Sequence, residues 1–181
     1  MAEPALRPWT VEEFLTWERE QPERWEFDGV QPVPRGMVGG SRPHARLSAR
    51  LVVALAARLP AECEAYGADL KVVAAGHIRY PDAMVECGRR EDAGDVALPV
   101  VVFEVLSPST AATDRRVKTM EYQAEAYIHA IVLLEQDRPV VTVMRRSAEW
   151  QEEVVVGLDA VLALPEVGIE VPLAALYGRQ E

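Results

Sequence analysis

The sequence predicts an α/β sandwich, and three observations carry that expectation. A leucine stripe at helical spacing fills residues 43–59, and three extended segments follow it. The third of these, PVVVFEVL, gives way to a second helical stretch and then to another strand. Helix, three strands, helix, strand is an order that packs helices on a sheet around one core. The 181 residues, 49% of them hydrophobic, suffice for such a core and are expected to form a single domain over residues 1–181.

Thr10 opens the first helix, because TVEE is a Thr-x-x-Glu capping box ahead of Phe14, Leu15 and Trp17. In RWEFDGVQPV the pair Asp28-Gly29 marks a tight hairpin between short extended segments. MVGGSRP is a glycine-rich loop into PHARLSARLVVALAARL, where Leu47, Leu51, Leu55 and Leu59 form the apolar stripe. Extended segments are expected from roughly Cys63 to Ala74, from Ile78 to Glu86 and over PVVVFEVL. The last is apolar on both faces, as in a strand covered on each side. SPSTAATD opens the next helix, with Val117, Met120, Ala124, Tyr127 and Ile128 assigned to its buried side. Strands AIVLLE, VVTVMRR and WQEEVVV follow, the first two joined by a QDRP turn, and then a short helix, PLAALYG.

No uninterrupted apolar run of about eighteen residues occurs, so no membrane span is expected. The N-terminus lacks the basic-then-apolar pattern of a secretory signal. Cys63 and Cys87 lie far apart and outside any C-x-x-C spacing, so neither a disulfide framework nor a zinc knuckle is indicated, and a reducing cytoplasm is the expectation. A net charge of -10 argues against broad attraction to nucleic acid, although Arg42, Arg46 and Arg50, and again Arg115 and Arg116, cluster locally.

Glu104 is the most informative residue. It sits inside VVVFEVL, where a lone ionised carboxylate costs several kcal/mol and needs a metal, a cation or a proton. A buried salt bridge is the competing reading. Asp82 follows Pro81 in IRYPDAMVE; proline breaks the ladder there, and alternation puts Asp82 among Ile78, Tyr80 and Met84, the competing reading being a simple Pro-Asp bend with Asp82 exposed. Two carboxylates projecting from neighbouring strands suit Mg²⁺ or Mn²⁺, which take hard oxygen ligands and keep waters elsewhere. Lys118 lies on the helix after this strand, with Asp114 and Tyr122 one turn before and after it. A lysine beside a metal-bound phosphate stabilises developing charge; the alternative is an exposed lysine paired with Asp114.

Taken together in this order, WEFDG, MVGGSRPHARL, RYPDAMV, VVFEVLSPST, the Asp114/Lys118/Tyr122 spacing and VLLEQDRP resemble the bacterial restriction-endonuclease family within the PD-(D/E)XK nuclease superfamily. The resemblance runs from TVEEFL to VPLAALY. It implies a restriction-endonuclease-like αβββαβ core with a mixed central sheet, an extra N-terminal hairpin and C-terminal strands. It implies that Asp82, Glu104 and the Val105 carbonyl ligate Mg²⁺ or Mn²⁺, that Lys118 is catalytic, and that Glu26 joins the catalytic set as the acid preceding the metal-binding strands, a surface acid on the hairpin being the competing reading for Glu26. His44, opening the second helix, either touches a phosphate or packs locally, and Arg46 is a candidate phosphate contact. Two departures stand out. The superfamily's usual lysine position, two residues after the glutamate, is Leu106 here, so Lys118 must reach in from the helix; and Val30 and Gln31 follow Asp-Gly where the family tends to have an acid.

The expected function is metal-dependent hydrolysis of DNA phosphodiester bonds, with DNA as partner and a homodimer as the arrangement that grips a duplex. The rival is a nucleic-acid-binding or regulatory module without turnover, or a subunit active only in a complex, that keeps the same fold.

Overall fold

The computed structural model describes residues 7–34, 41–88, 94–106 and 113–178. The MVGG part of the expected loop MVGGSRP and the residues of SPSTAATD before Thr113 lie outside them. The first helix, α1 (Val11–Glu18), begins as the capping box requires. The Thr10 hydroxyl accepts from the Glu13 amide at 3.2 Å, and the Glu13 carboxylate accepts from the Thr10 amide at 2.8 Å. The hairpin of β1 (Trp25–Phe27) and β2 (Pro32–Pro34) turns at Asp28, whose carboxylate accepts from the amides of Val30 and Gln31. Gly29 is needed there: its φ is +85°, and a Cβ would lie 3.1 Å from His77 Nε2.

Ser41 caps α2 (Arg42–Ala56), accepting from the His44 amide, and the helix buries Leu47, Leu51 and Leu55. The remaining elements are β3 (Cys63–Gly67), β4 (Lys71–Ala74), β5 (His77–Arg79), β6 (Ala83–Cys87), β7 (Val96–Ala97), β8 (Val101–Leu106), α3 (Thr113–Ala124), β9 (Ala130–Glu135), β10 (Val140–Arg145), β11 (Glu152–Val156), the hairpin β12 (Val161–Leu164) and β13 (Ile169–Pro172), and α4 (Leu173–Tyr177). A six-stranded sheet runs β11-β10-β9-β8-β6-β3, and a five-stranded sheet runs β2-β1-β5-β4-β7. Strands β8 and β9 are parallel, joined through α3, while β6 and β10 pair antiparallel on either side. The αβββαβ core is therefore α2, β3, β6, β8, α3, β9. The β4–β5 hairpin branches out of it to join the N-terminal hairpin.

Strand β8 divides the interior. Val101, Phe103 and Val105 pack with the α2 leucines and the β12–β13 hairpin; Val102 packs with Tyr122, Ile128 and Ile131. Truncating Leu51 or Leu55, both fully buried, would cost about 2–5 kcal/mol. Alternation puts Glu104 on the Val102 side, beneath α3.

Four expectations are corrected. The segment from Cys63 to Ala74 is two strands in different sheets, with a turn between Gly67 and Lys71. The segment from Ile78 to Glu86 likewise splits around Pro81, which cannot continue the ladder, so Asp82 stands in the bend before β6. The inner face of α3 is its polar one: Thr119, Glu121 and Tyr122 are buried, whereas Val117 and Met120 are 47% and 61% exposed. Ala124 is exposed too, and Tyr127 and Ile128 lie beyond the helix. Finally, Cys63 and Cys87 form a disulfide, because the antiparallel register of β3 and β6 sets them directly opposite across a separation of 24 residues. The argument from cysteine spacing to a reducing compartment falls away with it. Among the described residues no helix is long and apolar enough to cross a membrane.

Candidate active site

The bend that follows from Pro81 aims Asp82 at β8. Asp82 Oδ2 accepts from the Val105 amide at 2.7 Å and lies 3.3 Å from His44 Nε2 at the N-terminal turn of α2. The hydrogen bond to Asp82 raises the His44 pKa above its ordinary value; burial opposes this, and the charges of Asp82 and Glu104 reinforce it. One residue before Val105, Glu104 accepts from the Tyr122 hydroxyl at 2.8 Å, across from α3. Burial raises the Glu104 carboxyl, Lys118 pulls it down, Asp82 adds repulsion, the Tyr122 hydrogen bond favours the anion, Glu26 adds further repulsion, and the balance lies at about 7. Asp82, Glu26, Lys118 and Tyr122 are therefore all within electrostatic reach of Glu104.

Lys118 does reach in from the helix. Its Nζ stands 3.6 Å from Glu26 Oε1, and the Glu26 side chain is only 18% exposed. The other Glu26 oxygen accepts from Arg79 Nη1 at 3.2 Å, and Arg79 grips Glu121 of α3 with two further bonds at 2.7 and 2.8 Å. Among the described residues, four carboxylates (Asp82, Glu104, Glu26, Glu121) thus face Lys118 and Arg79, with the imidazoles of His44 and His77 beside Asp82 and Glu121. That excess of negative charge is what a divalent cation neutralises, and two carboxylates with a strand carbonyl are the oxygen donors that a partly hydrated Mg²⁺ takes. Among the described residues, no group of three or more His, Cys, Asp or Glu side chains is arranged to hold a metal. An ion here would rest on Asp82, Glu104, the Val105 carbonyl and water.

The sequence-derived candidates Asp82, Glu104, Val105, Lys118, Glu26, His44 and Tyr122 come together in one place. Arg46 does not join them: it is exposed on α2. Asp114 belongs to α3, with its side chain outside those described. Val30 and Gln31 are exposed beyond the hairpin turn. Sequence reasoning missed Arg79 and Glu121. Glu121 had a usable signal, since it stands three residues after Lys118 and so shares its helix face; Arg79, inside the apolar run IRYP, had none.

The same fold occurs in a crystal structure described as a putative nuclease belonging to DUF820 from Anabaena variabilis, with a TM-score of 0.72, 20% identity and coverage of 94% of this chain and 98% of that one. Over 117 residues the chain is 38% identical to an uncharacterized protein of Synechocystis sp., an alignment covering 62% of this chain and 59% of that relative. The chain thus spans less than two thirds of that relative's length. Residues 11–174 match the family described as "Putative restriction endonuclease" (Uma2), and the protein belongs to that family.

Proposed function

We propose that the protein hydrolyses DNA phosphodiester bonds with the help of a divalent cation, Mg²⁺ or Mn²⁺. The observation that supports this reading is the convergence of Asp82, Glu26 and Lys118 on a half-buried carboxyl, Glu104, in a nuclease fold. Asp82, Glu104 and the Val105 carbonyl would hold the ion. When bound, such an ion supplies Lewis acidity at phosphorus-bound oxygen and a water of lowered pKa.

The chain's own groups do the rest. The Val105 amide fixes Asp82, and the Tyr122 hydroxyl fixes Glu104, so neither carboxylate must reorganise. Lys118 neutralises charge that develops on the phosphate. His44, in the first turn of α2, and the exposed Arg42 and Arg46 on that helix offer contacts to neighbouring phosphates, which position DNA without reading its sequence. Two copies in a homodimer would grip a duplex from both sides; light scattering of the purified chain tests that part.

Incubating supercoiled plasmid with the protein and Mn²⁺ or Mg²⁺ tests the activity. Cleavage is expected with either ion, none in EDTA, and a loss of at least two orders of magnitude in Lys118→Met, as for loss of a transition-state donor. A chain that binds Mn²⁺ and DNA yet leaves plasmid intact would instead be the silent binding module.

A further inference from the structure

The proposed chemistry uses Glu26 and Lys118 but leaves unexplained the two charges locked behind them. Arg79 is 8% exposed and Glu121 5%. Arg79 spends Nε and Nη2 on the two oxygens of Glu121, and Nη1 on Glu26 Oε2 and on the Phe27 carbonyl at 3.4 Å. Four of the five N–H donors of a guanidinium are thereby committed inside the protein, so Arg79 has no free fork for a phosphate. Glu26 needs such a hold. It comes from a three-residue strand between β2 and β5, tied to β5 through the single pairing of Phe27 with Ile78. Its two oxygens are divided between Arg79 and Lys118.

We infer that Arg79 and Glu121 are positioning residues for the active site: Glu121 fixes Arg79, Arg79 fixes Glu26, and Glu26 holds the Lys118 ammonium beside Glu104. The circuit closes on itself, since Glu121 and Lys118 lie one turn apart on α3, while Arg79 and Glu26 sit on neighbouring strands of the five-stranded sheet. It therefore sets the distance between that sheet and the helix that delivers Lys118. The claim that Lys118 acts in turnover rests on the nuclease reading; the claim that Glu121 places it does not.

The chain offers a direct probe, because its only lysines are Lys71 and Lys118. In metal-free protein labelled with ¹⁵N-lysine, two side-chain ammonium resonances are expected, and Lys118→Arg removes one to assign them. Glu26→Gln should shift the Lys118 resonance. Glu121→Gln should shift it in the same direction, the double variant should move it no further than Glu26→Gln alone, and Lys71 should stay put. In plasmid cleavage, Glu121→Gln should lower kcat roughly tenfold to a hundredfold, the cost of a misplaced group, with KM for DNA unchanged. The double variant should be no slower than Glu26→Gln, as for two residues acting through one chain of contacts. Should Glu121→Gln fail to fold, Glu121→Asp, which keeps the charge and withdraws it by one methylene, is expected to shift Lys118 the same way. A folded Glu121 variant with an unmoved Lys118 resonance, or additive effects in the double variant, overturns the inference. A Lys118 resonance that moves as expected in a protein that never cuts DNA supports the circuit and removes the nuclease reading.

Discussion

The two lysines end in two acid clusters, and the clusters are built to different ends. Lys71, 3% exposed, contacts Glu18 and lies 2.5 Å from Asp95; the Tyr80 hydroxyl donates to the other Glu18 oxygen, which also accepts from the Trp25 amide at 3.3 Å. Both oxygens of the buried Glu18 are thus spoken for. Burial pushes the Asp95 carboxyl up, but the Lys71 ammonium beside it more than reverses this and leaves its pKa below the ordinary value. Glu104 is the mirror case. It too has a lysine and a tyrosine, Lys118 and Tyr122, yet it shares them with Asp82 and Glu26, and its pKa ends near 7. By count both clusters hold two carboxylates per cation; what differs is the outcome, with Asp95 held below its ordinary value and Glu104 raised above it. In the proposed reading, the raised carboxyl marks the cluster that takes up a cation.

The largest test of this contrast is to remove each lysine. Lys71→Met strands a buried glutamate and should cost about 3–5 kcal/mol in urea melts. Lys118→Met should cost less, because its site already carries unbalanced charge and its side chain is 19% exposed. Equal losses would mean that the second cluster is structural glue like the first.

Added Mn²⁺ is the next lever. At a hundred times its Kd an ion that binds only the folded protein stabilises it by about 2.7 kcal/mol. The parent should gain this in thermal melts and Asp82→Ala should gain little. A full shift in Asp82→Ala would place the ion elsewhere.

Acidity separates the clusters further. Between the ordinary carboxyl value of 4.5 and about 7, the folded metal-free protein keeps a proton on Glu104 that the unfolded chain has already released. Stability from this group is therefore fully present below pH 4.5 and is lost as pH rises through 7. Glu104→Gln removes the loss, so at pH 8 in EDTA it should exceed the parent by on the order of 2 kcal/mol and show no Mn²⁺ gain. A severely destabilised Glu104→Gln would mean that Glu104 is half of a structural pair.

How much of this was readable in the chain follows the range of the contacts. Glu104 announced itself because a charge inside VVVFEVL conflicts with its surroundings, and the capping box and the Asp28-Gly29 turn are local patterns. Lys118 was placed through family resemblance rather than periodicity, and periodicity misled: the apolar residues of α3 mark its outer side, because its inner side is built from the charged groups of the site. The partners of Arg79 in Glu121 and of Lys71 in Glu18 lie 42 and 53 residues away, and no local pattern encodes such pairs. The Cys63–Cys87 bond and the division of the strands between two sheets were hidden for the same reason.

The smallest effect, and the one that compares the clusters most closely, comes from their tyrosines. Tyr80 and Tyr122 are 4% and 1% exposed, and each donates its hydroxyl to a glutamate, the buried Glu18 and the half-buried Glu104. Tyr122→Phe removes a donor that favours the Glu104 anion, so the Glu104 pKa should climb further above 7. Below that pH the carboxyl is protonated, the lost bond joins neutral groups, and its removal should cost about 1 kcal/mol. The drop in metal-free stability with rising pH should then begin at a higher pH than in the parent, and more Mn²⁺ should be needed at neutral pH to displace the proton. Tyr80→Phe takes a donor from a carboxylate that keeps its lysine, so its cost should stay level across the same pH range. Stability profiles of the two variants from pH 5 to 9 in EDTA read this out. A Tyr122→Phe profile parallel to that of Tyr80→Phe would show that Glu104 does not titrate near neutrality, and the distinction between a closed and an open cluster would be lost.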